Sequence, residues 1–509
     1  MKKCGLLIFI LVLLISTMAF ATPKDVLIIG TREDVRMLDP AVTFDNQDWR
    51  ITYPCYDRLV RYKGSSTDVE PYVAESWSVN EDGTIWTFKL KKGIKFDDGT
   101  PLNAKAVKFT FERLKKIGKG PSDYFTEIKD IKILGDYEVQ FILEYPYAPF
   151  LYTLATNAAS ILNPNIIKHE EDGDLAQKWL ATHIDGSGPF RLKEWIKDEK
   201  IVLEAKDDYW GEKPKLKKVI IKVIKESTDQ RMALERGDID IADGILIDQL
   251  EKLAKNSDIV IRKYPSQLCN YVYINNQKEP LNNKLVRQAL NYAVDYEGII
   301  DFVLKGNGIQ MRGPIPKGMW GHSEDVFQYT YNPKKAKELL KKAGYPKGFK
   351  LEIMYSSVQP TWEEEVLILQ SNFADIGIKL DIRKLANPTM REKVDKGQFD
   401  LCMGRWSPDF ADPSMFMNYW FDSSKWGLAG NRSFYKNDEV DKLIREALKV
   451  PDQKKREALY KKAQDIIMED APYILLYQTM SIIPMRKEVK NFVYNPMLER
   501  MYNFESIYK

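Results

Sequence analysis

Apolar and polar positions alternate with period two over Trp86, Phe88 and Leu90, and again over Tyr137, Val139, Phe141 and Leu143. That is the spacing of half-buried β-strands. Asp82-Gly83 and Asp98-Gly99 beside them are tight-turn dipeptides. Between these strands Ala106, Val107, Phe109 and Thr110 recur near helical spacing and predict a helix over 103–116. The stretch 216–224, Leu-Lys-Lys-Val-Ile-Ile-Lys-Val-Ile, is dense in β-branched residues and predicts a strand buried on both sides.

In the second half the period changes. Leu285, Ala289, Leu290, Ala293 and Val294 make one face of a helix beginning near Asn283. Asn332-Pro333 opens another, with Asn as N-cap and Pro in the first turn, and Gly344 closes it. Strands over 349–355 and 378–384 flank a helix over 362–376, and 399–403 reads as a further strand. Two amphipathic helices, 437–449 and 452–469, follow on either side of Pro451. Alternating helices and strands define an α/β chain. No internal repeat and no Pro/Ser-rich linker divides it, so continuous strands are expected to join its domains.

The first residues stand apart. Lys2 and Lys3 precede an apolar run from Cys4 to Phe20, which ends in Ala19-Phe20-Ala21. This is the order of a cleaved signal peptide over 1–21, and it predicts an exported protein. Cys4 stands at the start of the apolar run and not after it, so it is not the lipidated cysteine of a lipoprotein. No later apolar run approaches spanning length, so no stable membrane insertion is expected. With 76 Lys+Arg against 73 Asp+Glu, the net charge of +3 gives no basic footprint for nucleic acid. Three scattered histidines, His169, His183 and His322, argue against a metal cluster. Cys55, Cys269 and Cys402 sit among apolar or aromatic residues and read as buried, inert thiols.

Catalytic signatures are missing: no G-x-S-x-G elbow, no P-loop and no H-E-x-x-H. Gly186-Ser187-Gly188-Pro189-Phe190 reads as a turn, and Asp238-x-Asp240-x-x-Asp243-Gly244 misses the calcium-loop spacing. Glu363-Glu364-Glu365 reads as a solvated helix start. An exported α/β chain of this kind is a binding protein before it is an enzyme, with neither cofactor nor metal expected. The rival is a secreted hydrolase with a carboxylate pair that sequence does not mark.

Several segments resemble, in order, the family 5 extracellular solute-binding proteins of ABC importers, the dipeptide- and oligopeptide-binding family. They are Leu38-Asp39-Pro40, the stretch from Glu70-Pro71-Tyr72 through Trp77, Asp82-Gly83-Thr84-Ile85-Trp86, and Gly93-Ile94-Lys95-Phe96 through Ala104. The glycine turn at 186–190, Asp208-Tyr209-Trp210, Val286-Arg287-Gln288-Ala289-Leu290 and Gly313-Pro314-Ile315-Pro316 continue the series. The resemblance implies a two-lobed periplasmic-binding-protein fold of type II, cluster C-like. Lobe I would take 22–264 and 481–509, with an inserted subdomain at 61–185, and lobe II would take 265–480. The lobes would be crossed near Tyr264-Pro265 and Gln478-Thr479 and would close by hinge bending. It further implies a periplasmic or extracytoplasmic monomer that hands peptides to the transmembrane subunits of an ABC permease.

The resemblance also points to a site. In Gly404-Arg405-Trp406-Ser407-Pro408-Asp409, the Asp three residues after the Trp matches the family's ligand for a peptide α-amino group. A desolvated ammonium needs such an anionic partner. The backbone from Gly404 to Ser407 would pair with an extended peptide, Trp406 would cover a side chain, and Thr43 would face the cleft from lobe I. One element departs from the pattern. The arginine that holds a dipeptide carboxylate is missing from Ser356-Ser357-Val358-Gln359-Pro360, leaving Arg405, Arg432 or Arg383 as substitutes. The alternative ligand in the same fold is an oligosaccharide or another solute.

Overall fold

The computed structural model describes residues 23–509; the signal-peptide segment 1–21 lies outside the described residues. An eleven-stranded mixed sheet runs through both lobes. From one edge its order is Lys379–Lys384, Lys350–Tyr355, Leu401–Trp406, Ile259–Ile274, Tyr473–Arg486, Ile241–Ala242, Val26–Thr31, Lys218–Val223, Lys200–Ala205 and Phe190–Ile196. The short strand Gly308–Gln310 also pairs with Tyr473–Arg486.

Two of these strands are far longer than the rest: Ile259–Ile274 has 16 residues and Tyr473–Arg486 has 14. At about 3.3 Å per residue the first reaches about 50 Å, enough to serve two lobes in succession. Their antiparallel ladder runs from Ile259 opposite Arg486 to Pro265 opposite Met480, breaks, and resumes at Cys269 opposite Gln478. Pro265 has no N–H to give at the break. Side chains stand in for the missing ladder: Ser266 Oγ and Thr479 Oγ1 are 2.7 Å apart, and Gln478 Nε2 donates to the Ser266 carbonyl at 3.0 Å. Leu27, Ile29, Val219, Ile221, Ile483 and Met485 share one core. Tyr271, Ile274, Leu290, Leu369 and Ile444 belong to another, on the far side of the break.

A four-stranded antiparallel sheet, in the order Ala74–Val79, Ile85–Leu90, Glu138–Leu143 and Ile128–Gly135, stands beside the first lobe. The helix Ala104–Ile117 covers it, with Phe111 edge-on to Phe141 at 5.1 Å. Asn103 caps that helix by accepting from Lys105 N at 3.0 Å, and left-handed Gly118 ends it. A buried ion pair ties the helix to the N-terminal segment: Arg113 Nη1 and Nη2 donate to the two Asp39 oxygens at 2.9 and 2.6 Å.

The strand and helix periods place the remaining elements within a few residues of expectation, with three differences. Lys218–Val223 buries Val219 and Ile221 completely, but Ile220, Lys222 and Val223 only in part, because one face meets the main core and the other a smaller one. The strand expected over 399–403 spans Leu401–Trp406 and so carries the site motif. Glu365 is not solvated. It is fully buried on the helix Trp362–Asp375, where the Tyr477 hydroxyl donates to it at 2.7 Å. The turn at 186–190 is explained by close approach: a Cβ on Gly186 would lie 2.0 Å from the Cys55 carbonyl oxygen. Asp240 and Asp243 serve the first lobe, Asp240 by accepting from Ile28 N at 2.7 Å and Asp243 by pairing with Arg50 and Tyr502. Cys55, Cys269 and Cys402 are free and buried, and burial pushes all three thiols up.

Arg113→Met strands the Asp39 carboxylate in the interior. The expected loss is about 3–5 kcal/mol in chemical denaturation, and adding Asp39→Asn should recover part of it. Full stability in the single variant would contradict the role given to this pair.

Candidate ligand-binding site

The strand Leu401–Trp406 runs into a loop over 407–413, and the helix Ser414–Phe421 follows. Asp412 anchors the loop. Its carboxylate is buried, takes Arg456 in bidentate fashion at 2.6 and 2.8 Å, and accepts from Ser414 N at 2.9 Å to start the helix. Trp320 Nε1 donates to the Ala411 carbonyl at 2.8 Å, with the Arg456 guanidinium 4.9 Å from its ring centre. Held from its C-terminal side, the loop presents Ser407, Pro408 and Asp409 to a cavity of about 390 Å³.

The far wall comes from distant segments: Asp45, Gln47 and Trp49 at the helix Asn46–Thr52, and Met497, Glu499 and Arg500 near the C-terminus. Gln267 enters from the break in the first crossing strand. Four carboxylates, Glu33, Asp45, Asp409 and Glu499, face this cavity against one cation, Arg500. Burial pushes the Asp409 carboxyl up to about 6, while the Tyr124 hydroxyl beside it pulls the other way. Tyr124 meets Phe410 edge-on at 5.8 Å and Phe44 at 5.7 Å, so it bridges the two walls.

The other predicted residues are spread around this cavity. Thr43 is buried and turns its hydroxyl onto Asp48 at 2.6 Å, while its carbonyl accepts from Trp49 Nε1 at 3.2 Å; it supports the wall from behind. Trp406 stacks on Tyr419 at 4.3 Å with the planes 14° apart. Gly404 and Arg405 line a separate pocket of about 170 Å³ together with Arg391 and Arg432. Arg405 is exposed and donates to Gln359 Oε1 at 2.8 Å, so it sits at the segment that lacks the expected arginine. Arg432 is buried and its donors go to Tyr273, Tyr419 and the Leu428 carbonyl at 2.8–3.0 Å; it forms no ion pair among the described residues. Arg383 is committed elsewhere, to Glu352 at 2.9 Å.

The strand between the two pockets has an open edge. Its parallel ladder with Lys350–Tyr355 covers only Leu401 and Cys402. The antiparallel ladder on its other side continues to Trp406. Main-chain groups over 403–406 are therefore paired on one side only. Gln267, Asp45, Glu499 and Arg391 carried no local signal in the sequence, because folding alone brings these separate segments to the loop that bears Asp409.

Two lobes sharing one sheet, with a charged cavity walled by both, are the architecture of a hinged solute-binding protein. The chain belongs to the bacterial extracellular solute-binding proteins, family 5, whose model matches residues 68–427. It is 49% identical over 493 residues to the probable D,D-dipeptide-binding periplasmic protein of Escherichia coli strain K12, covering 96% of this chain and 95% of the relative. It is 31% identical to the dipeptide-binding protein of the same organism, covering 100% and 99%. Among solved structures, it resembles the periplasmic binding protein DppA from Helicobacter pylori in complex with the peptide STSA. That match has a TM-score of 0.76 at 34% identity, over 95% of this chain and 98% of that one.

Because the folded Asp409 carboxyl is raised from 3.8 to about 6, the ionised form destabilises the unliganded chain. The native chain binds its proton more tightly than the unfolded chain does, so this contribution favours folding below about pH 4 and is lost as pH rises through about 6. Asp409→Asn should therefore be more stable than the native chain at about pH 7.5, by about 2–3 kcal/mol, and equal to it at about pH 4. Denaturant titrations at both pH values test this; an equal loss at both would make the carboxylate a structural strut.

Proposed function

We propose that the chain captures peptides outside the cytoplasmic membrane and presents them, as a monomer, to the transmembrane subunits of an ABC importer. The observation that carries this reading is the bipolar arrangement on either side of the open strand edge. An acidic cavity holding Asp409 lies at one end and an arginine-bearing pocket at the other. A peptide is a zwitterion with an extended backbone, and each of these features has a counterpart in it. Lobe I is then 22–264 with 481–509, including the inserted 61–185, and lobe II is 265–480. The break between Pro265 and Cys269 is the place where they bend. The family relatives named for dipeptides, and for D,D-dipeptides, make short peptides of either stereochemistry the first ligands to try.

The two ends are not equivalent. Asp409 is largely desolvated, whereas Arg405 is exposed and Arg432 already donates to two tyrosine hydroxyls and a carbonyl. Isothermal titration with D-alanyl-D-alanine, L-alanyl-L-alanine and longer alanine peptides should show that N-acetylation abolishes binding, while C-terminal amidation costs much less. Asp409→Ala should cost about 2–5 kcal/mol, on the order of tens- to thousands-fold in affinity. Affinity should also fall below about pH 6, where the ligand must displace a proton from Asp409. Equal affinity for acetylated and free peptides would overturn the amine site and favour an uncharged solute such as an oligosaccharide. Hydrolysed products in the mixture would favour an enzyme.

A further inference from the structure

Besides the two crossing strands, the segment 61–185 touches the stretch 265–480 directly, and its contacts converge on Trp320. Thr67 is buried, and its hydroxyl makes two bonds: Trp320 N donates to it at 3.2 Å, and it donates to the Gly318 carbonyl at 3.3 Å. Tyr152 stacks on the Trp320 ring, with the centroids 5.7 Å and the planes 25° apart. Ala148 N donates to the Leu448 carbonyl at 2.8 Å, at the end of the helix Asp438–Ala447. Thr67, Tyr152 and Trp320 are all buried, and none of them lines the acidic cavity.

The same indole holds the loop that bears Asp409. Trp320 Nε1 donates to the Ala411 carbonyl at 2.8 Å, two residues after Asp409. The Arg456 guanidinium lies 4.9 Å from the Trp320 ring centre, grips Asp412 through both oxygens, and donates from Nε to the Ala447 carbonyl at 2.7 Å. A second route from 61–185 is direct: Tyr124 meets Phe410 edge-on at 5.8 Å, and its hydroxyl stands beside Asp409. This restraint has a physical purpose. A carboxylate kept from water with no cation beside it gains by turning outward, so a loop free to move would carry Asp409 back into solvent. Only a backbone held from outside the cavity keeps it there.

We propose that Trp320 is a positioning residue for Asp409, seated by Thr67 and Tyr152, so that capture of an amine at Asp409 depends on 61–185 being docked against the stretch 265–480. The inserted segment then contributes to binding without lining the cavity. It fixes the indole, the indole fixes Ala411, and the loop keeps its carboxylate aimed at the cavity and short of water. Asp412 and Arg456 hold the other side of the same loop, so loss of the indole contact loosens it without unfolding it. The proposal rests on the peptide reading above for the amine that Asp409 receives, while the restraint on the loop is a property of the unliganded chain.

The test is a pair of double-mutant cycles. Trp320→Phe keeps a ring against Tyr152 but has no N–H for Ala411; Tyr152→Leu keeps an apolar group but removes the stacking partner. Each is made in the native chain and in Asp409→Asn, and thermal melts check that all are folded. Titration calorimetry uses D-alanyl-D-alanine and L-alanyl-L-alanine at neutral pH. Each variant should bind at least about tenfold more weakly than the native chain, yet cost less than about threefold once Asp409 is already asparagine, because coupled residues are not additive. Equal losses in both backgrounds would make the two residues supports of the fold alone and overturn the proposal, as would native affinity in both variants. A second readout needs no ligand. The stability that Asp409→Asn adds at about pH 7.5 should shrink by about half or more in the Trp320→Phe background, because a loosened loop returns the carboxylate to water. An unchanged difference overturns the positioning role. If the native chain binds none of these peptides, the peptide reading fails, and the ligand-free comparison decides the role of Trp320 by itself.

Discussion

Everything in this molecule is arranged around one antiparallel ladder that two lobes have to share. A single pair of strands supplies the centre of the sheet on both sides. Main-chain hydrogen bonds do not stretch, so relative movement of the lobes is confined to places where the ladder is already interrupted. Between Pro265 and Cys269 the interruption is made by a residue with no N–H and is stabilised by Ser266, Thr479 and Gln478 side chains. Side-chain bonds of this kind re-form at altered angles more readily than a strand ladder does. On the proposed reading the hinge is a defect held at a chosen position, and the acidic cavity, which Gln267 lines, lies beside it.

The loop beside the cavity shows how burial can be used in two opposite ways within four residues. Asp412 is enclosed with a bidentate arginine, a helix N–H and a neighbouring indole, and it fixes the chain. Asp409, one short turn earlier, is partly buried without a cationic partner, and burial pushes its carboxyl up. The first acid stabilises the fold that holds the second in an unfavourable state. On the proposed reading, an arriving cation would relieve a cost already present, which is a stronger basis for capture than a carboxylate free in water would offer.

Most of the fold could be read from periodicity, because helix caps such as Asn103, Asn283, Asn332, Asn437 and Asp452 act locally. Ser407 and Asp409, which line the cavity, lie in one contiguous motif together with Trp406. Glu365 was misread, because an acid in a first helical turn looks the same whether it faces water or, as here, Tyr477. Thr43 is expected to face the cleft, but its hydroxyl turns to Asp48, a partner that sequence spacing does not reveal. Gln267 and the C-terminal Glu499 reach the cavity across hundreds of residues of chain, and no local pattern announces a contact made only by topology.

The open edge over 403–406 has a consequence for what the protein ignores. A row of unpaired N–H and C=O groups recognises another backbone by its shape and is indifferent to the side chains attached to it. Neighbouring residues of a paired strand point to opposite sides, so composition is left to whatever walls happen to stand there. Discrimination of this sort acts on the main chain itself. If peptides pair with this edge as proposed, a residue that lacks its N–H, or a bond that cannot extend, would be refused there, while a wide range of unrelated side chains would pass.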